Sequence, residues 1–373
     1  MARKLNIIRW LEYNWATPAY GGWVLIGIAL SFFGAATNTM AGWLYVLSGT
    51  IFALLGLNMV DAGKNLKGII IKRLPIYPVH AGNDLTIILS VGNATGKLKI
   101  LIQIQDEIPA FLGKPVIHNL ESLPPRQEIQ LAAYIPTEKR GVYHWEYIIL
   151  KTAAPFGLFY ASRLCKIPAK ATVYPQILPL QSCPLIEDIG NEELKQQESR
   201  PIYYSATEGV TKTIRPYRYG DAFRLIHWRT SARMGELKVR ELETTTSGRE
   251  IIICLDNSGK WEEDDFEKAV IAVASLYCYS LRRQLNVRVW LADMGLIHGN
   301  TTVMETLAAV KSGVNMTASI PELPVIWVSC HSEKLNSLMP GSRCFLFTKP
   351  PFPYPGIVYN REESLLKQLQ QPI

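Results

Sequence analysis

Arginine and aromatic side chains crowd into one stretch of this chain. The run RPYRYGDAFRLIHWRTSARMGELKVRE occupies residues 215–241 and sets Arg215, Arg218, Arg224, Arg229 and Arg233 among Tyr217, Tyr219, Phe223 and Trp228. Guanidinium forks and aromatic faces together can do three things. They can grip a polyanion through bidentate contacts and stacking. They can dock a partner protein, because Arg, Tyr and Trp carry much of the binding energy at interfaces. Or the charges can pair internally, with Asp221 of the Gly220–Asp221 turn held by forks from Arg215, Arg218, Arg224 or Arg229. A charge-rich stretch is often a solvated, salt-bridged face, which favours the internal pairing. His227 and Glu236 complete the polar set, and Trp228 is expected to pack inward with Ile226 if the segment is a strand.

Catalytic chemistry leaves no comparable mark. The sequence has no GxxxxGK[ST] loop, no HExxH and no GxSxG. Its six histidines are scattered, and a lone histidine does not make a triad. A hydrolase acting on an anionic substrate would have to draw on Asp221, His227 and Asp256. A nucleic-acid binder would need the arginines exposed on one face, with affinity falling steeply in salt. An interaction protein needs neither. The expectation is therefore a chain with no catalytic residues and no nucleic-acid partner, whose signature residues are structural or partner-binding.

Two apolar stretches precede all of this, at residues 18–36 and 39–60, and neither contains a charged residue. Each is long enough to cross a hydrocarbon core of roughly 30 Å as a helix. Arg3, Lys4 and Arg9 precede the first, Lys64, Lys67, Lys72 and Arg73 follow the second, and the turn at Thr37, Asn38 and Thr39 is uncharged. Basic flanks resist translocation, so both termini are expected in the cytoplasm, with Trp15, Trp23 and Trp43 near the interfaces. A cleaved signal peptide fits poorly, because a second span follows at once. Gly27 and Gly34, and Gly42, Gly49 and Gly56, recur every seven residues. That spacing predicts a close helix–helix seam.

The length leaves room for two further domains at roughly 150 residues each. The net charge of +7 is modest, and lipid headgroups answer the juxtamembrane part of it. The six cysteines (Cys165, Cys183, Cys254, Cys278, Cys330, Cys344) show no CxxC spacing and suit a reducing compartment. Alternating runs at 84–91, 97–104, 129–131 and 143–150, separated by Gly, Asn and Pro turns, read as an all-β sandwich. Acidic and polar residues then dominate from 180 to 213. From 250 onward apolar runs (250–255, 287–291, 325–328, 344–347) alternate with helical patterns at 265–283 and 302–310, ahead of a short polar helix at 362–370. That alternation predicts a doubly wound parallel sheet. The expected organisation is a two-helix transmembrane hairpin (1–65), a β-sandwich-like domain (66–180), a polar linker with the Arg/aromatic segment (181–248) and an α/β domain (249–373).

The 215–241 run resembles the signature of the bacterial family known as domain of unknown function 58. Lys139-Arg140-Gly141-Val142-Tyr143 and Ala154-Pro155-Phe156-Gly157-Leu158-Phe159 are similar to further family motifs. The resemblance covers nearly the whole chain. It implies an N-terminal helical hairpin, a β-rich region, and a C-terminal domain similar to von Willebrand factor type A. Members are often encoded beside MoxR-type AAA+ ATPases, which implies a partner or adaptor role in a chaperone-like membrane assembly. Partner identity and oligomeric state stay open. The type A fold commonly holds Mg²⁺ through D-x-S-x-S at its first strand, with hydroxyls and carboxylates that suit this hard cation. Here the stretch is Asp256-Asn257-Ser258-Gly259-Lys260. Asp256 and Ser258 match, but Lys260 replaces the third ligand and its ammonium would repel the ion. The site reads as degenerate and without a metal cofactor, even with Asp293 at hand after the second strand.

Overall fold

The computed structural model describes residues 16–187, 189, 210–216, 226–243, 250–348 and 355–372. The chain divides into two compact units, residues 1–175 and 176–373.

The first unit opens with a two-residue strand β1 (Thr17–Pro18) and then helices α1 (Tyr20–Thr39) and α2 (Gly42–Asn65). Both helices are long and apolar enough to cross a membrane, and Trp23 and Trp43 are exposed on them. The connection lies slightly later than the sequence suggests. Thr37 and Thr39 each return a hydroxyl bond to the carbonyls of Gly34 and Ala35, which satisfies the last turn. The chain then reverses at Met40, which takes the left-handed conformation (φ 53°).

The predicted glycine seam is wrong in its residues. A Cβ added at Gly27, Gly34, Gly42, Gly49 or Gly56 would meet nothing within 4 Å. Leu44 and Asn58 on α2 are buried; so are Gly22, Ala29 and Ala36 on α1 and Ser48, Leu55 and Ala62 on α2. The latter sets also recur every seven residues, so the period was right and the face was not. Ser48 Oγ donates across the seam to the carbonyl of Ala29 at 2.9 Å. A hydroxyl bond of this kind joins helices where lipid supplies no hydrophobic drive.

Eight further strands follow: β2 (Ile69–Arg73), β3 (Val79–His80), β4 (Asp84–Asn93), β5 (Lys99–Asp106), β6 (Val116–Leu123), β7 (Glu128–Pro136), β8 (Gly141–Thr152) and β9 (Phe159–Tyr174). They form two sheets. One has the order β1-β9-β8-β5-β6, with β3 also on β9, and the other has the order β2-β4-β7. Alternate residues Leu85, Ile87, Leu89 and Val91 of β4 meet Ile102 and Ile104 of β5, Ile148 and Leu150 of β8, and Ala171 and Val173 of β9 in one core. Each large aliphatic side chain so buried contributes about 1.5–3 kcal/mol.

The hairpin is fastened to this sandwich at both ends. Asn65 Nδ2 donates to the carbonyl of Ile100 (2.7 Å) and to Thr152 Oγ1 (2.9 Å). Lys99 Nζ donates to the carbonyl of Lys64 at 2.9 Å, in the last turn of α2. The backbone N–H of Ala19 donates to the carbonyl of Leu158 at 2.8 Å. A Cβ on Gly22 would sit 2.3 Å from that same carbonyl, so the approach requires glycine.

Arg73, read from sequence as part of the basic flank, is instead buried. Its guanidinium grips Asp106 at 2.5 and 3.1 Å. It also lies 5.1 Å from the centre of the Trp145 ring, and Trp145 Nε1 donates to the same carboxylate at 2.9 Å.

In the second unit, β10 (Val210–Pro216) and β11 (Lys238–Glu243) pair antiparallel, with α3 (Trp228–Met234) between them in sequence. A six-stranded sheet follows, built from β12 (Glu250–Leu255), β13 (Asn286–Leu291), β14 (Gly295–Ile297), β15 (Val325–Ser329), β16 (Arg343–Leu346) and β17 (Gly356–Val358). Its order is β14-β13-β12-β15-β16-β17, parallel except for β14. Numbered within the sheet this is 3-2-1-4-5-6, a doubly wound order that reverses between β12 and β15.

Helix α4 (Glu263–Arg282) buries Phe266, Ala269, Val270, Val273, Leu276 and Tyr277, as its periodicity predicts. Glu263, Asp264 and Asp265 lie in its first turn, where the helix dipole favours them. Helices α5 (Asn300–Ala309) and α6 (Leu365–Leu369) complete the unit. Trp290, Trp327, Cys254 and Cys344 pack on one face of the sheet with Leu335 and Leu338. Cys183, Leu185 and Ile186, in the stretch read as polar linker, are buried as well.

Candidate functional site

Tyr217, Arg218, Gly220, Asp221 and Arg224 lie outside the described residues, as does the expected Asp221–arginine pairing. Arg215 is placed on β10, opposite Val239 of β11.

The second half of the signature folds back on itself. Ile226 bridges Val239, and both are buried. The backbone N–H of His227 donates to the carbonyl of Lys238 at 2.8 Å. The chain then turns into α3 with His227 as its cap: Nδ1 accepts from the Thr230 backbone N–H at 3.1 Å. Buried Ser231 accepts from the Lys238 backbone N–H at 2.9 Å and donates to the His227 carbonyl at 3.1 Å. Gly235 closes the helix at φ 71°, a conformation that suits glycine. Lys238 pairs with Glu236 at 3.2 Å.

This knot turns Trp228 outward, with 64% of its surface exposed. The sequence expectation of an inward anchor fails because the extended chain ends before Trp228. Alternation across a strand does not carry into a helix, and Ile226 takes the anchoring role. Arg229, Arg233 and Glu236 are exposed beside Met234 and Leu237. The segment is a small fastened platform on which one indole, two apolar side chains and two guanidinium groups are exposed.

A second constellation sits where the parallel strands β12 and β15 end, at the reversal of strand order. Ligands of doubly wound sheets bind at such points. Asp256 follows β12 and is 0% exposed. Its Oδ1 accepts from the Ser258 backbone N–H at 3.2 Å and from the Ser258 hydroxyl. Its Oδ2 accepts from Ser329 Oγ at 3.1 Å. Lys334 Nζ donates to both carboxylate oxygens, at 3.1 and 3.2 Å, and to Ser258 Oγ at 2.5 Å.

Lys260, the residue that the sequence put in the way of a metal, is exposed. The cation in the cup is Lys334, 78 residues from Asp256 and invisible to a local motif. Asp293 is engaged elsewhere: its Oδ1 accepts from Asn257 Nδ2 at 3.1 Å. Asn257 Oδ1 in turn accepts from the Ala292 backbone N–H at 3.0 Å. Among the described residues, no group of three or more His, Cys, Asp or Glu side chains could hold a metal ion. The donor set of one carboxylate, two hydroxyls and an ammonium does not suit a divalent ion.

Of the three hydrolase candidates, Asp221 lies outside the described residues and the other two are engaged locally. His227 caps a helix, and Asp256 is saturated by its neighbours. Ser258 and Lys334 are as close as a nucleophile pair, but the Ser258 hydroxyl donates to Asp256. Burial pushes the Cys330 thiol beside this cup up to about 11. It pushes Cys183 and Cys344 up to about 12. All six cysteines are free, and these raised thiols are poor nucleophiles.

A family model described as "Protein of unknown function DUF58" matches residues 213–293. Among curated proteins, "Uncharacterized protein YeaD" of Bacillus subtilis (strain 168) is 26% identical over 137 residues, 37% of this chain and 32% of that protein. The match thus spans about a third of the relative's length. Among solved structures, the CARDB domain of PF1109 from Pyrococcus furiosus is similar at 15% identity, covering 27% of this chain and 94% of that one, with a TM-score of 0.19. A β-glucosidase from Listeria innocua is similar at 10% identity over 29% of this chain and 16% of that one, also at 0.19. Scores this low carry no argument. The family match does: it spans the fastened signature platform and the strand that leads into the Asp256 cup, and residues 213–293 are similar to the DUF58 family.

Proposed function

We propose that this protein is a membrane-anchored, cytoplasm-facing adaptor whose signature platform docks a MoxR-type AAA+ ATPase. The observation that carries the reading is the set of large side chains exposed on and just after α3. Trp228, Met234 and Leu237 are exposed by 64%, 63% and 42%, beside Arg229 and Arg233, on a backbone locked by Ser231 and His227. Large rigid side chains and arginines held on an ordered frame have the makings of an interface hot spot. The choice of partner rests on the family resemblance.

The membrane part of the proposal draws on two apolar helices whose surfaces are largely exposed. Exposed Lys64, Lys67 and Lys72 on the side of the sandwich, together with free thiols, support cytoplasmic termini. Reporter fusions at Asn38 and at the C-terminus test the orientation. A C-terminal fusion active only outside the cytoplasm overturns it. The strand order with an antiparallel third strand, and the Asp-x-Ser turn after the first, support a von Willebrand factor A-like reading of the second unit.

The docking test is purification of the full chain in detergent, with the bound proteins identified by mass spectrometry. A MoxR-type ATPase is expected with the wild type, with recovery falling about tenfold or more in Trp228→Ala or Arg229→Ala. Equal recovery with the variants removes the platform from the proposal. Nucleic acid retained with steep salt dependence in place of an ATPase favours the arginine-driven alternative.

A further inference from the structure

The Asp256 cup has the oxygen donors of a hard-cation site and a charge that is already answered. Asp256 is completely buried, with a serine hydroxyl on each carboxylate oxygen. An ammonium has three hydrogens to give, and all three of Lys334's are directed into the cup: two to Asp256 and one to Ser258. We propose that Lys334 is the built-in cation of this cup, standing in the place of a divalent ion, and that the cup accepts such an ion only when the ammonium is removed.

Lys334 is held for this role rather than left as a surface chain that happens to reach inward. The residue after it, Leu335, is 0% exposed and belongs to the core under the sheet. The segment before it lies tightly on the Asp256 loop. His331 packs so close to Gly259 that an added Cβ there would meet His331 Nε2 at 2.4 Å, and Gly259 sits at φ 79°. The His331 backbone N–H donates to Ser329 Oγ at 3.1 Å. Cys330 Sγ donates to the Lys260 carbonyl at 3.7 Å, and Trp261 Nε1 donates to the Asp256 carbonyl at 2.9 Å. With the side chain only 29% exposed, the ammonium is delivered by an ordered frame to the centre of an oxygen-lined cup.

The electrostatics then separate two cases. One carboxylate and one ammonium leave the cup neutral. A divalent ion entering beside the ammonium meets a positive charge within a few ångströms in a poorly solvated place, and it finds one anionic ligand. Hard divalent ions want several oxygen ligands and carboxylate charge. Without the ammonium, the same cup offers one carboxylate, Ser258 Oγ and Ser329 Oγ. That set is sparse but of the right chemistry. The inference stands whether or not the signature platform docks an ATPase, since it concerns the α/β sheet alone.

The experiment uses the full chain in detergent and Mn²⁺ as the probe. Wild type, Lys334→Ala, Lys334→Gln and each of these combined with Asp256→Asn are melted in chelator and in rising Mn²⁺, with calorimetric titration alongside. The wild type is expected to melt at one temperature throughout and to give no saturable heat. Lys334→Ala is expected to melt lower in chelator and to recover with Mn²⁺ in the concentration-dependent way that ligand linkage requires. Adding Asp256→Asn should abolish that recovery. Saturable Mn²⁺ binding by the wild type that is lost in Asp256→Asn overturns the proposal. So does a folded Lys334→Ala or Lys334→Gln protein that gains no Mn²⁺ response. Lys334→Gln keeps a hydrogen-bond donor without charge and serves where Lys334→Ala does not fold, and the wild-type titration decides its half of the proposal unaided.

Discussion

Asp106 in the sandwich and Asp256 at the end of β12 are 1% and 0% exposed, and each is answered by one cation. Their surroundings differ in kind. Asp106 meets Arg73, itself 4% exposed, with the indole of Trp145 both donating to the carboxylate and lying under the guanidinium. That trio is dry, and both charges are inside. Asp256 meets a lysine that is 29% exposed, with the hydroxyls of Ser258 and Ser329 beside it. The first arrangement pins β2, β5 and β8 together. The second closes the mouth of a parallel sheet at the point where such sheets hold ligands. Burial of the carboxylate is the same in both, so what separates a lock from a site is access to the cation.

The largest effect should come from breaking the dry pair. Asp106→Ala leaves Arg73 buried and uncompensated and should cost about 3–5 kcal/mol of the first unit's stability. Denaturant unfolding of the full chain measures it, and a loss below about 1 kcal/mol would mean that Arg73 finds water in the fold.

Asp256→Asn should cost less, about 1.5–3 kcal/mol, because the remaining ammonium can reach solvent. Salt sharpens the contrast. Raising ionic strength should shrink the Asp256→Asn effect and leave the Asp106→Ala effect unchanged, since screening acts on charges that water can reach.

Trp228→Ala stands at the opposite extreme from both. Its indole touches solvent, so unfolding should shift by no more than about 0.5 kcal/mol even where partner recovery collapses. A large stability loss would show that the indole is anchored after all.

The smallest effect is a pH dependence around the dry pair. Burial holds His118 below the usual histidine value, and nearby Asp106 partly offsets that shift. The neutral ring's contribution is complete above the unfolded value of about 6.5 and is lost as pH falls from there through the lowered folded value. Stability of the first unit should therefore decline on acidification through that window, and His118→Gln should flatten the slope. An unchanged slope assigns the decline to other groups.

Much of the architecture could be read from local pattern. The apolar spans gave the hairpin, alternation in 84–91 gave β4, and the spacing of Phe266 through Tyr277 gave the buried face of α4. What pattern could not give depends on residues distant in sequence. Arg73 looks like one more juxtamembrane cation until β5 supplies Asp106 and β8 supplies Trp145. The heptad of exposed glycines and the heptad of buried residues through Ala29 and Ala62 have the same period, and only the facing helix selects between them. Trp228 read as a strand residue because nothing local reveals that Ser231 and Lys238 will tie a helix there. The cup was half visible: Asp256 and Ser258 are adjacent in sequence, whereas Ser329 and Lys334 arrive on another strand and its following loop.

The joint between hairpin and sandwich has a mechanical meaning. Asn65 is clamped to Ile100 and Thr152, Lys99 reaches the last turn of α2, and Gly22 lies against the Leu158 carbonyl. A flexible tether would let the sandwich swivel freely beneath its anchor. This joint has no such bearing, so a tilt of the two helices turns the sandwich with them as a lever turns its load. With the helices in a bilayer, as proposed above, whatever thickens, thins or crowds it acts as torque on β5, β8 and β9.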